Sequence, residues 1–418
     1  MFRALRVYNY RLWVSGALVS NIGTWMQRVA QDWLVLTVLT HNSGTAVGVT
    51  TGLQFLPILF IGPYAGLLGD RISKRKLLIC TQTAMGFCAL LLGILVVTQT
   101  VQLWEVFALA LALGVASAVD APSRQAFVSE VVEQQDVPNA VALNSASFNL
   151  ARLAGPGVAG LLIAWLGTGP AFLLNAASFA GVICSLLKMR PHELHPVARA
   201  ARGKGQIREG LRYIRQRPDL TMIMILVGVV GTFGMNFQIT NALMASAVFG
   251  KGAGEYGLLG SVMAVGTLAA ALLAARRQGT RMRYVVGGAL AFGILAGTAA
   301  FMPTYALYAV ALIPVGLAAL TFMNACNTSV QLSTDPVMRG RVLAVYMVVL
   351  QGGTPIGAPL VGWIGTEFGA RWSVGGGAGI ALLAGVVALI LLNRRNNVRF
   401  RDQMHSVTHY SFRRPLAP

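Results

Sequence analysis

Arg28 and Asp32 stand four residues apart inside a long apolar run, so they share one face of a helix. Charge at membrane depth costs about 2.5–3.5 kcal/mol by insertion scales, so each such residue needs an account. Two accounts fit this pair. It is either a structural ion pair, or a protonatable carboxylate, Asp32, beside its cationic neighbour Arg28. Arg152 lies deep in a later run with no acid at helical spacing, so its guanidinium must face a cleft or a partner on another helix. Asn144, Phe148 and Asn149 extend polar and aromatic character around it. Gln27 and Gln54, with Asn236, Gln238 and Asn241 in a run of the second half, supply neutral polar groups at similar depth. Trp25 and Phe233 offer flat surface on which an apolar or aromatic guest would stack, or serve as ordinary packing. The chemistry these types allow is stacking of an apolar or aromatic guest with proton transfer beside it.

A second group lies at the membrane edge. The stretch Gly66-Leu67-Leu68-Gly69-Asp70-Arg71-Ile72-Ser73-Lys74-Arg75-Lys76 joins two apolar runs by a short basic turn. Gly66 and Gly69 let another helix come close, and Asp70 is placed to reach a helix N-terminus or a basic side chain. Asp120 and Arg124 form another pair four residues apart. No His/Asp/Glu metal cluster, nucleophile elbow, phosphate-binding loop or spaced carboxylate dyad is present, which argues against a membrane-embedded enzyme and against direct ATP coupling. Neither cofactor nor metal is expected. Cys80, Cys88, Cys184 and Cys326 are scattered through apolar runs, without disulfide or metal spacing. His192/His195 and His405/His409 have ligand-like spacing but lie in basic segments and read as solvated surface.

Elements that must position these groups follow from composition. The 418 residues are 55% hydrophobic and only 11% charged, with mean hydropathy +0.64, whereas a soluble chain carries about a quarter charged residues. The solvent is therefore mostly lipid. Twelve spans are expected, near 11–39, 46–68, 77–98, 103–123, 139–166 and 169–188, then 219–247, 256–275, 284–302, 305–330, 341–366 and 373–393. A net charge of +19 invites a nucleic-acid partner, but its distribution rejects one. Lys and Arg fall on one side throughout, except Lys251 and Arg371 on the other and Arg28 and Arg152 within spans. That is the positive-inside pattern, with both termini cytoplasmic. No removable signal peptide is read at the basic start.

The expected organisation is a six-helix bundle at 1–188, a cytoplasmic linker at 189–218, a second six-helix bundle at 219–393 and a basic tail at 394–418. Ile207 to Ile214 would form a short amphipathic helix on the membrane, and no structure is assigned to the tail. Repetition supports the division. Asp136 and Pro138 before the fifth span are echoed by Asp335 and Pro336 before the eleventh. Pro156 matches Pro355, and Gly23 and Gln27 match Gly234 and Gln238. Two parallel six-span halves around a cleft fit this pattern. Ala275 stands where Asp70 would, so the halves are not chemically equivalent.

Three segments carry a family resemblance. The G-x-L-x-D-R-x-x-K-R-K run at Gly66–Lys76 resembles the loop signature of the major facilitator superfamily of secondary transporters, with Ser73 where the family usually has Gly. Gly155-Pro156-Gly157-Val158-Ala159-Gly160 resembles the proline-glycine motif of proton-coupled exporters in that superfamily, Ala159 replacing one glycine. Asn21 to Gln27 (NIGTWMQ) and Asn149 to Pro156 (NLARLAGP) are similar to a bacterial exporter branch that includes the enterobactin exporter and the transmembrane secretion effectors. The resemblance covers about residues 5 to 395. It implies efflux of a small amphipathic molecule, drug-like or siderophore, across a bacterial inner membrane. The alternatives are an importer or facilitator on the same fold and, more distantly, a membrane enzyme. It also implies a cytoplasmic gate of Gly66, Asp70, Arg71, Lys74, Arg75, Asp120 and Arg124, with Asp120 holding Lys74 or Arg75. Expected partners are the small molecule, protons and membrane lipid. A single chain contains the whole cleft, so a monomer is expected.

Overall fold

Backbone amides in hydrocarbon have no water to bond, so each crossing segment must satisfy its own polar groups as a helix. The computed structural model describes residues 3–195, 206–275 and 282–411, with backbone alone at 63–71, 206–207, 275 and 395–411. Among the described residues there is no strand. The first half holds Tyr8–Trp33 (α1), carried on by a π-helical turn at Leu34–Leu39, then Gly44–Arg71 (α2), Lys74–Val97 (α3), Leu103–Val128 (α4), Val137–Leu166 (α5) and Thr168–Lys188 (α6). A short helix, Gln206–Arg215 (α7), follows. Pro218–Val229 (α8) and Phe237–Leu243 (α9) share one crossing, interrupted by a π turn at Val230–Gly234 and a break at Met235 and Asn236. Then come Ala253–Ala275 (α10), Met282–Ala300 (α11), Tyr305–Ser333 (α12), Arg339–Gly352 (α13), Thr354–Glu367 (α14) and Ala370–Ser411 (α15). α13 and α14 form one crossing broken at Gly353.

Among the described residues, eleven of these crossings are long and apolar enough to span a membrane by length and composition. The twelfth, α1, falls short because it carries Asn9, Asn21, Gln27, Arg28, Gln31 and Asp32. Several of those are buried, Gln27, Gln31 and Asp32 among them, so the polar content faces protein and not lipid. α1 packs on α5 and α6, α3 on α4 and α6, and α2 on α4. In the second half α12 packs on α10 and α11, and α11 on α15. α7 packs on α13: Glu209 pairs with Arg341 at 2.7 Å, and the Tyr213 hydroxyl donates to Asp335 at 2.9 Å. Helical backbone runs through the basic tail to Ser411, where no structure was assigned from sequence.

We call the end at Lys74, Lys188 and Arg217 the basic end, and the opposite end, at Ser43, Gly167 and Gly250, the far end. The halves meet along two seams, α2 on α14 and α5 on α10, and both lie towards the far end. Each brings backbone onto backbone. A Cβ at Gly44 would stand 2.7 Å from the Gly362 carbonyl oxygen, and one at Gly160 would stand 2.8 Å from that of Ala253. Thr45 and Thr366 bond across the first seam at 3.1–3.2 Å, and Ser261 donates to the Leu153 carbonyl across the second at 2.8 Å. Continuing the α10-facing stripe of α5 towards the basic end, Ala142, Ser145, Ala146 and Asn149 are exposed. α5 and α10 therefore touch at the far end and part at the basic end.

A cross-link tests this arrangement. A Cβ placed on Gly254 would lie 4.0 Å from the Ala164 Cβ, within disulfide reach. With exposed Cys80 and Cys184 replaced by Ser, the pair Ala164→Cys and Gly254→Cys should oxidise readily. After cleavage at a protease site engineered into the linker, the two pieces should migrate together on a non-reducing gel and separate with reductant. Pieces that separate without reductant would contradict the far-end seam.

Candidate functional site

Below the far-end seams the parting halves enclose a cavity of about 360 Å³. Trp25 and Val29 of α1 and Arg152 and Pro156 of α5 line it from the first half. From the second half come Gln238 and Asn241 of α9, Tyr256 and Met263 of α10, Met323 of α12 and Thr354 of α14, with Met235 and Phe237 at the α8–α9 break. The break is what places Gln238 here, since an unwound turn re-aims the helix that follows it. Asn241 accepts from the Tyr308 hydroxyl at 2.7 Å, which fixes its orientation. Aromatic and thioether walls with a few polar groups suit an amphipathic guest.

Asp32 is buried and does not itself line the cavity, but its partner, Tyr256 of the other half, does. The Tyr256 hydroxyl lies 3.1 Å from Asp32 Oδ2 and 3.2 Å from the Gln238 carbonyl oxygen. The Tyr256 ring also stacks on Trp33 at 5.8 Å, so two consecutive α1 residues hold one α10 residue. Arg28 does not close an ion pair with Asp32 within 4.0 Å. Its guanidinium lies 5.0 Å from the Trp25 ring and 5.7 Å from that of Phe55. It turns into a small pocket of about 40 Å³ inside the first half, beside Gln27, Gln54 and Asn175. The structural ion pair anticipated from spacing is therefore absent: the carboxylate is taken by a tyrosine and the guanidinium by aromatic faces.

Other sequence candidates disperse. Gln27 is buried and accepts from Asn175 of α6, so it ties helices within the first half. Asn149 is exposed and donates to the Ser145 carbonyl one turn back, at 2.9 Å. Asn144 is half-buried and does not line the cavity. Asn236 sits in the α8–α9 break and donates to the Thr232 carbonyl at 2.7 Å. Of the Gly155-Pro156-Gly160 motif, Gly155 backs onto Trp25, while Pro156 and Gly160 belong to the seam with α10.

At the basic end, the side chains of Gly66, Asp70 and Arg71 lie outside the described residues. Asp120 does not hold Lys74 or Arg75. Its Oδ1 accepts from Thr81 at 2.7 Å and Gln82 at 2.8 Å, and its Oδ2 from Arg124 at 3.2 Å. Arg124 also donates to Asn21 at 3.2 Å, so the cluster knits α1, α3 and α4. Lys74 pairs instead with Glu130, just past α4, and Arg75 donates to the carbonyls of Leu186 and Leu187 at 2.6 and 3.1 Å. Every one of these bonds stays within the first half. Two contributors, Tyr256 and Glu130, were not singled out in the sequence. A span tyrosine reads as packing, and an acid at a helix end costs too little to draw notice.

Known proteins offer three comparisons. Residues 2–416 match the family described as transmembrane secretion effector. A staphyloferrin A transporter of Staphylococcus aureus is 22% identical over 401 residues, 94% of this chain and 98% of that one. The enterobactin exporter EntS of Escherichia coli O127:H6 is 24% identical over 383 residues, 89% of this chain and 88% of that one. Among solved structures, a bacterial homologue of the human lysosomal transporter Spinster, inward-facing and unoccupied, superposes with a TM-score of 0.71. At 14% identity, over 93% of this chain and 95% of that one, it shares the fold.

Charge exchange separates the two basic-end pairings. Lys74→Glu alone should impair transport, and Lys74→Glu with Glu130→Lys should recover it. The exchange of Lys74 with Asp120 should recover nothing. Asp120→Ala, which strands half-buried Arg124, should cost roughly 3 kcal/mol, read as a lower thermal midpoint of the purified chain. Recovery by the Lys74/Asp120 exchange would refute the assignment.

Proposed function

This chain belongs to the transmembrane secretion effector family of the major facilitator superfamily, and from that membership we propose a secondary active exporter that moves a small amphipathic molecule by proton-coupled alternating access. The names of two relatives concern siderophores, staphyloferrin A and enterobactin, which supports efflux of such a compound or of a drug-like metabolite. The membrane is a bacterial inner membrane with both termini and the linker cytoplasmic, the side favoured by the basic loops. Residues 1–188 and 219–393 act as the two rocking units, and the chain works as a transporter without a chemical step.

One observation carries the reading. Asp32, an acid in the least apolar crossing, is bonded to Tyr256, a cavity-lining residue of the opposite half. Protonating that carboxylate changes a bond that spans the two units, so proton binding and unit movement share one contact. The state described, sealed at the far end and parted at the basic end, is then the one that loads substrate from the cytoplasm. Closing the basic end would break the α2–α14 and α5–α10 seams and open the cavity outward. Trp25, Arg152 and Gln238 would contact substrate, and Lys74, Arg75, Asp120 and Arg124 would hold the first unit rigid at its basic edge.

Vesicles with an imposed pH gradient supply the test. Wild type should accumulate substrate against its gradient, in the direction set by the proton gradient. Asp32→Asn should abolish that accumulation yet retain downhill exchange. Uphill accumulation by Asp32→Asn would make the residue structural and the coupling acid some other group. Transport indifferent to the pH gradient in wild type would remove proton coupling altogether.

A further inference from the structure

Arg152 is the charged side chain lining the cavity, and among the described residues it has neither a hydrogen bond nor an ion pair. Its guanidinium carbon lies 5.8 Å from the centre of the Trp25 ring, with that aromatic face as its partner. A guanidinium carries five N–H donors in a planar fork that fits a carboxylate, and a cation–π contact satisfies few of them. Arg28 lies on the same indole, 5.0 Å from its centre, so two cations flank one ring at membrane depth. The carboxylate at that depth, Asp32, is bonded to Tyr256 and stands beyond ion-pair distance of any cation among the described residues. Charges do not balance locally: two positive groups face one negative.

The surroundings say what else the missing anion must carry. Trp25 is held edge-on against Phe148 at 6.1 Å, presenting a fixed ring to the cavity. Opposite stand Met235, Met263 and Met323, side chains that adapt to varied apolar shapes. Gln238 and Asn241 add neutral hydrogen-bonding groups. We propose that the cavity is a site for amphipathic organic acids, whose carboxylate or other single anionic group docks on Arg152 while an aromatic or apolar body lies on Trp25 and the methionine wall. Arg28, behind Trp25, adds attraction without touching the guest. This rests on reading the cavity as the substrate site and narrows the substrate class from amphipathic to amphipathic and anionic.

Calorimetry on the full chain in phosphatidylcholine nanodiscs tests it with two probes of one shape, naphthalene-2-carboxylate and naphthalene-2-carboxamide. The carboxylate should bind at least roughly tenfold more tightly than the amide, the scale of a charge-assisted bond. Arg152→Gln should erase that preference and Arg152→Lys should keep part of it, which separates loss of charge from loss of fold. Arg28→Gln should reduce the preference by less than Arg152→Gln. Equal binding of the two probes, binding of neither, or an undiminished preference in Arg152→Gln overturns the proposal. Repeating the titration in phosphatidylglycerol nanodiscs distinguishes the source of the anion. A preference that persists supports a soluble acid, whereas one abolished there assigns the site to a lipid headgroup and overturns the proposal. Binding is read without any gradient, so the two readings fail separately. Proton-driven efflux with no charge preference refutes this inference alone, and a charge preference without efflux refutes export alone.

Discussion

Backbone meeting backbone at the far end is the constraint on which the rest of the structure depends. Lipid is as apolar as leucine, so burying leucine between helices gains little there, and close van der Waals packing of small residues does the joining. Gly44 and Gly160 permit it on the two seams. Because each seam occupies only part of its helices, the halves are joined at one end and separate at the other. The cavity is the space that this one-sided closure leaves. Its polar residues depend on the same closure, since Tyr256 reaches Asp32 only where α1 and α10 come together.

Polarity is distributed with economy. α1 alone fails to qualify as a crossing by composition, and it is the helix packed on α5 and α6 and touching α9 across the interface. The other crossings shield it from hydrocarbon, so its charges meet aromatic faces, amides and a phenol. At the basic end the pattern differs. There Asp120 accepts from Thr81, Gln82 and Arg124, and Arg124 reaches Asn21, all within a single half, while Lys74 finds Glu130. Bonds confined to one half stiffen it; the Asp32–Tyr256 bond joins the two.

Much of the fold was legible because apolar runs of membrane length leave few alternatives. The expected 139–166 span is α5 at Val137–Leu166, and 169–188 is α6 at Thr168–Lys188. What hydropathy misses is interruption: the breaks at Met235–Asn236 and Gly353 lie inside runs that are apolar on average. The cavity was legible in part. Trp25, Arg152 and Gln238 line it, whereas Asn144 does not and Asn149 lies on the parted stripe of α5 nearer the basic end, because facing and closure both depend on neighbours. Pairings were the least legible. Spacing by four put Arg28 and Asp32 on one face, yet Asp32 bonds to Tyr256 of α10 and Arg28 lies against aromatic rings of α1 and α2, and a single sequence holds no trace of which distant residue competes for a side chain.

Tyr256 has one hydroxyl hydrogen and two acceptors within reach, Asp32 Oδ2 at 3.1 Å and the Gln238 carbonyl at 3.2 Å. It can serve only one of them at a time. While Asp32 is ionised, the phenol is best aimed at the carboxylate, and the carbonyl receives no hydrogen from it. Once Asp32 bears a hydrogen of its own, the carboxyl can donate to the phenol oxygen and the phenol to the carbonyl. The three groups then form a chain pointing one way, with no acceptor left over. A proton added on α1 is thereby registered as a changed hydrogen bond on α9, relayed through a side chain that keeps its position and only turns its hydrogen.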